Sequence, residues 1–130
     1  MKRLLLDTHI WLSIQAEPAR IPAHVQQVLA DPSSVLFLSL VSAWEIAVKY
    51  SFGRLPIPAP PDVYVPDRLA GESVTLLPVA LEDVLGVAGL PHLHRDPFDR
   101  SLVTQATRGG FALVTADRTL AAYSVDVIEV

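Results

Sequence analysis

The sequence contains no cysteine. Disulfides, thiolate zinc sites and cysteine nucleophiles are therefore excluded, although this absence does not fix the compartment. No apolar run approaches the roughly 20 residues that span a bilayer. The opening Met1-Lys2-Arg3-Leu4-Leu5-Leu6-Asp7 has some look of a signal peptide. Its apolar stretch is interrupted by Asp7 and His9, and no small-residue cleavage site follows. It reads as a buried strand, and the protein as cytoplasmic with no membrane partner. Gly-x-Ser-x-Gly, the P-loop and Gly-x-Gly-x-x-Gly are all missing, so Ser13, Ser39 and Ser42 have no nucleophile elbow and no phosphate cradle is encoded. A basic excess is missing too: 14 Asp and Glu stand against 10 Lys and Arg, for a net charge of −4. That argues against a simple nucleic-acid-binding module, which carries a basic face. An enzyme that reaches phosphates through a bound cation needs less surface arginine, and four carboxylates assigned to metal would leave the remaining charge balanced.

What is present suffices for one core. The chain has 130 residues, of which 51% are apolar, and residues 1–130 are expected to form a single domain. Arg3–Leu6, Val35–Leu38 and Phe111–Thr115 are short, apolar on both faces and flanked by polar or turn residues, as buried parallel strands are. Val74–Leu77 and Val125–Val130 are expected as further strands, the latter alternating enough to suit an edge. Helices are predicted over Ala23–Ala30 with Pro22 in the first turn, over Val41–Phe52, Ala80–Ala88 and Pro97–Arg108, and briefly from Asp117 through Ala122. Gly109-Gly110 ends the fourth of these. Pro56–Pro61 reads as an extended connector, and Pro66 argues against a helix after it. Strands alternating with helices give an α/β fold with a parallel sheet covered on both faces.

In such a sheet, ligands bind beyond the carboxyl ends of the strands. Asp7 directly follows the first strand, and Asp117 follows Phe111–Thr115 after one residue. Asp99 lies in the first turn of its helix, and Glu45 sits among apolar neighbours in the helix after the second strand. Carboxylates brought together repel, and some stay protonated unless a cation joins them. A hard divalent ion with oxygen ligands resolves this; it activates water and stabilises charge on a phosphodiester in its transition state. Each acid also has a purely local reading. Asp7 and Asp117 suit helix caps, Glu45 and Lys49 are spaced as an i,i+4 ion pair, and Asp96-Pro97-Phe98-Asp99 has the form of a capping box. Both readings stand at this level. His92 and His94 form a loop pair after Pro91 that could bind metal or do nothing, and His9 suits a proton shuttle or packing at the helix start.

Four segments together resemble a known family. Leu4-Leu-Leu-Asp7-Thr8-His-Ile-Trp11 is similar to the opening strand of PIN domains with their first acid. Ser39-Leu-Val-Ser42-Ala-Trp44-Glu45-Ile46 resembles the helix with the second, His94-Arg-Asp96-Pro97-Phe98-Asp99-Arg100 the segment with the third, and Phe111-Ala-Leu-Val-Thr115-Ala-Asp117-Arg118 the fourth. The likeness runs in order over nearly the whole chain and is greatest to VapC-type toxins of bacterial toxin–antitoxin pairs. It implies a three-layer α/β/α sandwich around a mainly parallel sheet of four or five strands. It implies Mg²⁺- or Mn²⁺-dependent endoribonuclease activity on RNA. Metal ligands would be Asp7, Asp99 and Asp117, with Glu45 a ligand or a positioner of water, Asp96 near the same site, and the third acid at Asp99 because the helix proper begins there. Arg100 and Arg118 would steady phosphates or lie solvated. A homodimer and a cognate VapB-type antitoxin are further implied. Trp11, Leu12, Trp44, Phe52, Leu55 and Ile57 are bulkier than one small core requires, and are expected to leave an apolar groove for that partner, core packing and the dimer interface being the competing uses.

Two other functions remain open on these residues: a non-catalytic PIN-like module acting through a protein partner, and an aspartate-based phosphotransfer or phosphatase domain. The latter typically needs Asp-x-Asp after the first strand, where this chain has Asp7-Thr8-His9.

Overall fold

Leu4, Leu5 and Leu6 are consecutive and all inaccessible to solvent, which only a strand covered on both faces allows. In the computed structural model, which describes residues 2–130, they form the middle of β1 (Lys2–Leu6). Four more strands join it, all parallel: β2 (Ser34–Ser39), β3 (Val74–Leu77), β4 (Ala112–Thr115) and β5 (Val127–Glu129), in the order β3-β2-β1-β4-β5. The helices are α1 (Thr8–Ala16), α2 (Ala23–Ala30), α3 (Leu40–Ser51), α4 (Pro61–Ala70), α5 (Leu81–Leu85) and α6 (Pro97–Gly109). Among the described residues no helix is long and apolar enough to cross a membrane.

The period of two along the strands assigns side chains to two cores. Leu4, Leu6, Leu38 and Val114 face Ile10, Trp11, Val25, Ile46, Tyr64 and Val65. Leu5 and Leu113 face the opposite way, against Leu102, Val103, Ala106, Phe111, Leu120 and Tyr123. This is the α/β/α sandwich expected from the alternation of elements, with β5 at an edge. Fully burying each such side chain contributes roughly 1.5–3 kcal/mol.

Several elements differ from expectation for identifiable reasons. α4 runs straight through Pro66. Pro66 is exposed, as is Asp62, so the carbonyl that loses its partner faces water. Pro22 is the N-cap of α2 rather than its first helical residue. The helix expected over Ala80–Ala88 is α5 followed by a 3₁₀ turn at Gly86–Gly89, and only a 3₁₀ turn, Leu120–Ala122, follows Asp117. Pro97 opens α6, so Asp99 is its third residue and not its first.

Strand order places the site. The chain leaves β1 toward β2 and β3 on one side, then returns to β4 and β5 on the other. The crevice at such a switch point, here between the carboxyl ends of β1 and β4, is where parallel sheets receive ligands. The end of α6 matters as well, because it feeds β4. Gly110 has φ +70°, and the amide of Phe111 closes on the Ala106 carbonyl at 2.9 Å. A Cβ on Gly110 would meet nothing within 4 Å, so its requirement is purely conformational. Gly110→Ala should therefore cost about 1–2 kcal/mol, measured as a lower urea midpoint with an unchanged slope.

Candidate active site

Asp7 stands at the N-cap position of α1, yet its side chain makes no cap hydrogen bond. Oδ2 instead accepts the Thr115 hydroxyl at 2.6 Å, and Thr115 in turn accepts the Asp117 amide at 3.0 Å. A fully buried threonine at the end of β4 thus ties the first acid to the last. The carboxylate is 5% exposed, and Oδ1 has no hydrogen-bond partner among the described residues. Burial is the largest influence on this group and raises its pKa; the Thr115 hydroxyl and His9 oppose, and the Glu45 charge adds to the rise.

Glu45 comes from α3, whose first turn is capped by Ser39 accepting the Val41 amide at 3.0 Å. The side chain is 1% exposed. Thr8 Oγ1 lies 2.6 Å from Glu45 Oε1 and 2.8 Å from Ser42 Oγ. The single Thr8 proton goes to the carboxylate, and Ser42 donates to Thr8. Glu45 Oε2 is bound by the Lys49 ammonium. The i,i+4 pair expected from spacing does form, but with a buried carboxylate it is no solvated surface pair, and removing Lys49 would strand the charge. For Lys49 the largest influence is burial, which lowers the pKa; the bond to Glu45 and the charges of Glu45, Asp96 and Asp99 outweigh it, and the net shift is upward.

Asp96 caps α6, its Oδ1 accepting the Phe98 amide at 2.8 Å and the Asp99 amide at 3.4 Å. The cap aims Asp99 inward. Burial, and then the charges of Asp7, Asp96 and Glu45, raise the Asp99 pKa to about 7, with His94 opposing. Asp117 is more open. Burial is again its largest single influence and pushes upward, but hydrogen bonds from His94 and the Thr119 amide prevail and hold it below the usual carboxylate range.

Spacing alone did not select His94. Its Nε2 lies 2.8 Å from Asp117 Oδ2 and 3.4 Å from Asp99 Oδ2, while Nδ1 accepts the Asp96 amide at 3.0 Å. An acceptor at Nδ1 puts the neutral ring's proton on Nε2, aimed between the two carboxylates. His92 of the same pair is exposed. Arg100 is not a phosphate ligand and not a solvated base. It is 7% exposed, and its guanidinium donates to the carbonyls of Val87, Leu90 and Pro91 and to the Tyr123 hydroxyl. That hydroxyl also accepts the His94 amide at 3.0 Å, so Arg100 and Tyr123 hold the loop that presents His94. Arg118 and His9 are exposed. Ligand-type atoms of Glu45, Asp96 and Asp99 lie within 4.8 Å of one another, as do those of His94, Asp99 and Asp117.

The expected apolar surface is only partly present. Trp11 is fully buried, its indole N–H donating to Glu72 at 2.5 Å, and belongs to the core. Trp44 and Phe52 are 62% and 72% exposed. Leu12, Leu55 and Ile57 line a cavity of about 670 Å³ beside α1, with His9, Glu17 and Arg20 at its walls.

The fold and the acids can now be compared with known proteins. The model of the PIN domain family matches residues 4–125. The chain belongs to the PIN-domain family. Over 42 residues, 32% of its length, this PIN domain is 48% identical to Ribonuclease VapC16 of Mycobacterium tuberculosis, and the match spans 30% of that protein. Solved structures similar in fold include VapBC2 from Rickettsia felis bound to a promoter DNA fragment (TM-score 0.72, 12% identity, 98% of each chain). DNA-bound VapBC from Salmonella typhimurium is another (TM-score 0.67, 15% identity, 99% of this chain and 98% of that one). At such identities the likeness is one of fold.

The crowding has a measurable consequence. Because the Asp99 pKa is raised from 3.8 to about 7 in the fold, the folded protein binds the proton more tightly than the unfolded chain. Metal-free stability is then highest below about pH 4 with respect to this group and is lost as pH rises to 7. Asp99→Asn should raise the metal-free melting temperature by ~3–8 °C at pH 8 and change it little at pH 4. An equal shift at both values would mean that the Asp99 charge is not the cause.

Proposed function

We propose that this PIN domain is a Mg²⁺- or Mn²⁺-dependent endoribonuclease, the toxin of a VapBC-type pair. One observation carries the metal: among the described residues Asp7 Oδ1 is buried with no donor, beside a second acid whose pKa is pushed up by burial and then by like charges. Hard carboxylate oxygens left short of positive charge suit a hard divalent cation. Asp7, Asp99 and Asp117 would hold it, with Glu45 and Asp96 at its margin. Such an ion supplies charge stabilisation to a phosphodiester and makes water more acidic near neutral pH.

The chain's own residues do the rest. Thr115 fixes the spacing of Asp7 and Asp117 through its single hydroxyl. Glu45, held by Thr8 and Lys49, orients the attacking water. Water adds to phosphorus in line as the bond to the 3′ oxygen breaks, leaving a 5′-phosphate and a 3′-hydroxyl. Arg118, exposed beside Asp117, is free to meet an RNA phosphate. The family match and the VapC16 likeness favour RNA as substrate. A VapB-type antitoxin would be met by the apolar cavity beside α1, and the exposed Trp44 and Phe52 suit a homodimer contact. The cytoplasm, where RNA and antitoxin both reside, is the expected location.

Asp7→Asn, Asp99→Asn and Asp117→Asn should each lower RNA cleavage by about 10²–10³-fold with the circular dichroism spectrum retained. A triple Asn variant cutting at the wild-type rate would end this reading. Asp99→Ala should weaken Mn²⁺ binding far more than Asp96→Ala, which removes chiefly a cap worth ~0.5–2 kcal/mol of stability. Calorimetry with the reverse ranking would exchange their roles.

A further inference from the structure

By acid count the site has room for two ions. The donor sets Glu45–Asp96–Asp99 and His94–Asp99–Asp117 share Asp99, and paired catalytic ions elsewhere sit only ~3.5–4 Å apart. The hydrogen bonds favour a different occupancy. We propose that the site takes a single divalent ion per chain, and that the Lys49 ammonium permanently fills the place of a second. This rests on the metal-dependent reading above.

In the first set, Lys49 extends from α3 one turn beyond Glu45, binds Glu45 Oε2, and reaches to 3.9 Å from Asp96 Oδ2. Glu45 Oε1 is taken by the Thr8 hydroxyl, and Asp96 Oδ1 by the first amides of α6. Three of the four carboxylate oxygens on Glu45 and Asp96 are thus already bound, and the fourth faces an ammonium. In the second set, His94 offers a proton in place of a lone pair. Its Nδ1 accepts the Asp96 amide, which puts the proton on Nε2. Ligation through Nε2 would require a proton on Nδ1, directed at an amide N–H. His94 is therefore a positioning residue for Asp117 and Asp99, as carboxylates around a metal are commonly held by outer hydrogen-bond donors. What remains is Asp7 Oδ1, buried and without a donor among the described residues, on a carboxylate whose charge acts on Asp99 and which Thr115 ties to Asp117. That is enough for one ion.

The test is Mn²⁺ titration of the purified chain by calorimetry and electron paramagnetic resonance. Wild type should bind one Mn²⁺ per chain and give the spectrum of an isolated ion, with no coupling from a directly bound histidine nitrogen. Lys49→Gln removes the resident cation and should admit a second Mn²⁺, seen as doubled stoichiometry and a spin-coupled pair; Lys49→Arg should restore a stoichiometry of one. Two ions on wild type, a single ion on folded Lys49→Gln, or nitrogen coupling from His94 would overturn the proposal while leaving metal-dependent cleavage intact. Wild-type stoichiometry decides the matter even if Lys49→Gln does not fold. No Mn²⁺ on wild type would overturn the metal-dependent reading, and this inference with it.

Discussion

The carboxyl edge of the sheet gathers more negative charge than the protein itself neutralises. Asp7 and Glu45 are almost wholly enclosed, Asp99 is partly so, and the Asp7 and Glu45 charges both raise the Asp99 pKa. Taking charges out of water costs several kcal/mol per ion unless donors and counter-charges replace the lost hydration. The chain supplies Thr115, Thr8, His94 and Lys49 as replacements and stops short at Asp7 Oδ1. Such a site is costly to the metal-free fold. The two-sided burial of Leu4, Leu5 and Leu6 on β1, immediately before Asp7, is what offsets that cost and keeps the edge in place.

A second layer keeps the acids aimed. Arg100 is buried without a carboxylate partner among the described residues, and its donors are spent on three backbone carbonyls and one hydroxyl. Those carbonyls belong to the Gly86–Gly89 turn and the loop after it, which leads into His94. A planar guanidinium carries enough donors for all four acceptors; a lysine, with three, would leave at least one of them unsatisfied. Tyr123 closes the arrangement by accepting from both Arg100 and His94. The Asp96 amide sets the His94 tautomer, while Arg100 and Tyr123 hold the loop that presents the ring.

The features legible in the sequence were those with a local cause. Ala23–Ala30 and Val74–Leu77 have the boundaries expected, because prolines and apolar periodicity mark them. The acids at strand ends converge as strand-end positions must in a parallel sheet. Features set by distant contacts were not legible. Trp11 looked surplus to a small core and instead fills it, since α1, α4 and Glu72 meet around it. Pro66 looked prohibitive and is harmless on a solvent face. His94 stood out only as half of a loop pair with His92, because its partner Asp117 lies 23 residues away. Arg100 resembled a phosphate ligand because nothing in its neighbours reveals that its targets are carbonyls.

For Asp96 and Glu45, the local role and a place among the clustered acids occur together rather than as rivals. Asp96 does cap α6, and that cap fixes the first turn from which Asp99 projects. Glu45 does pair with Lys49 across one helical turn, but burial turns a pair worth ~0.3–0.5 kcal/mol on a surface into one that cannot lose a partner cheaply. Asp7 occupies a cap position without capping, since Oδ2 is taken by Thr115 and Oδ1 lies buried with no hydrogen-bond partner among the described residues. A carboxylate needed at a fixed angle is most cheaply aimed by a backbone already forced to start a helix there. For that reason caps and ion pairs in this chain accumulate around the clustered carboxylates, and a cap motif at the carboxyl end of a buried parallel strand is grounds for suspecting a site rather than for dismissing one.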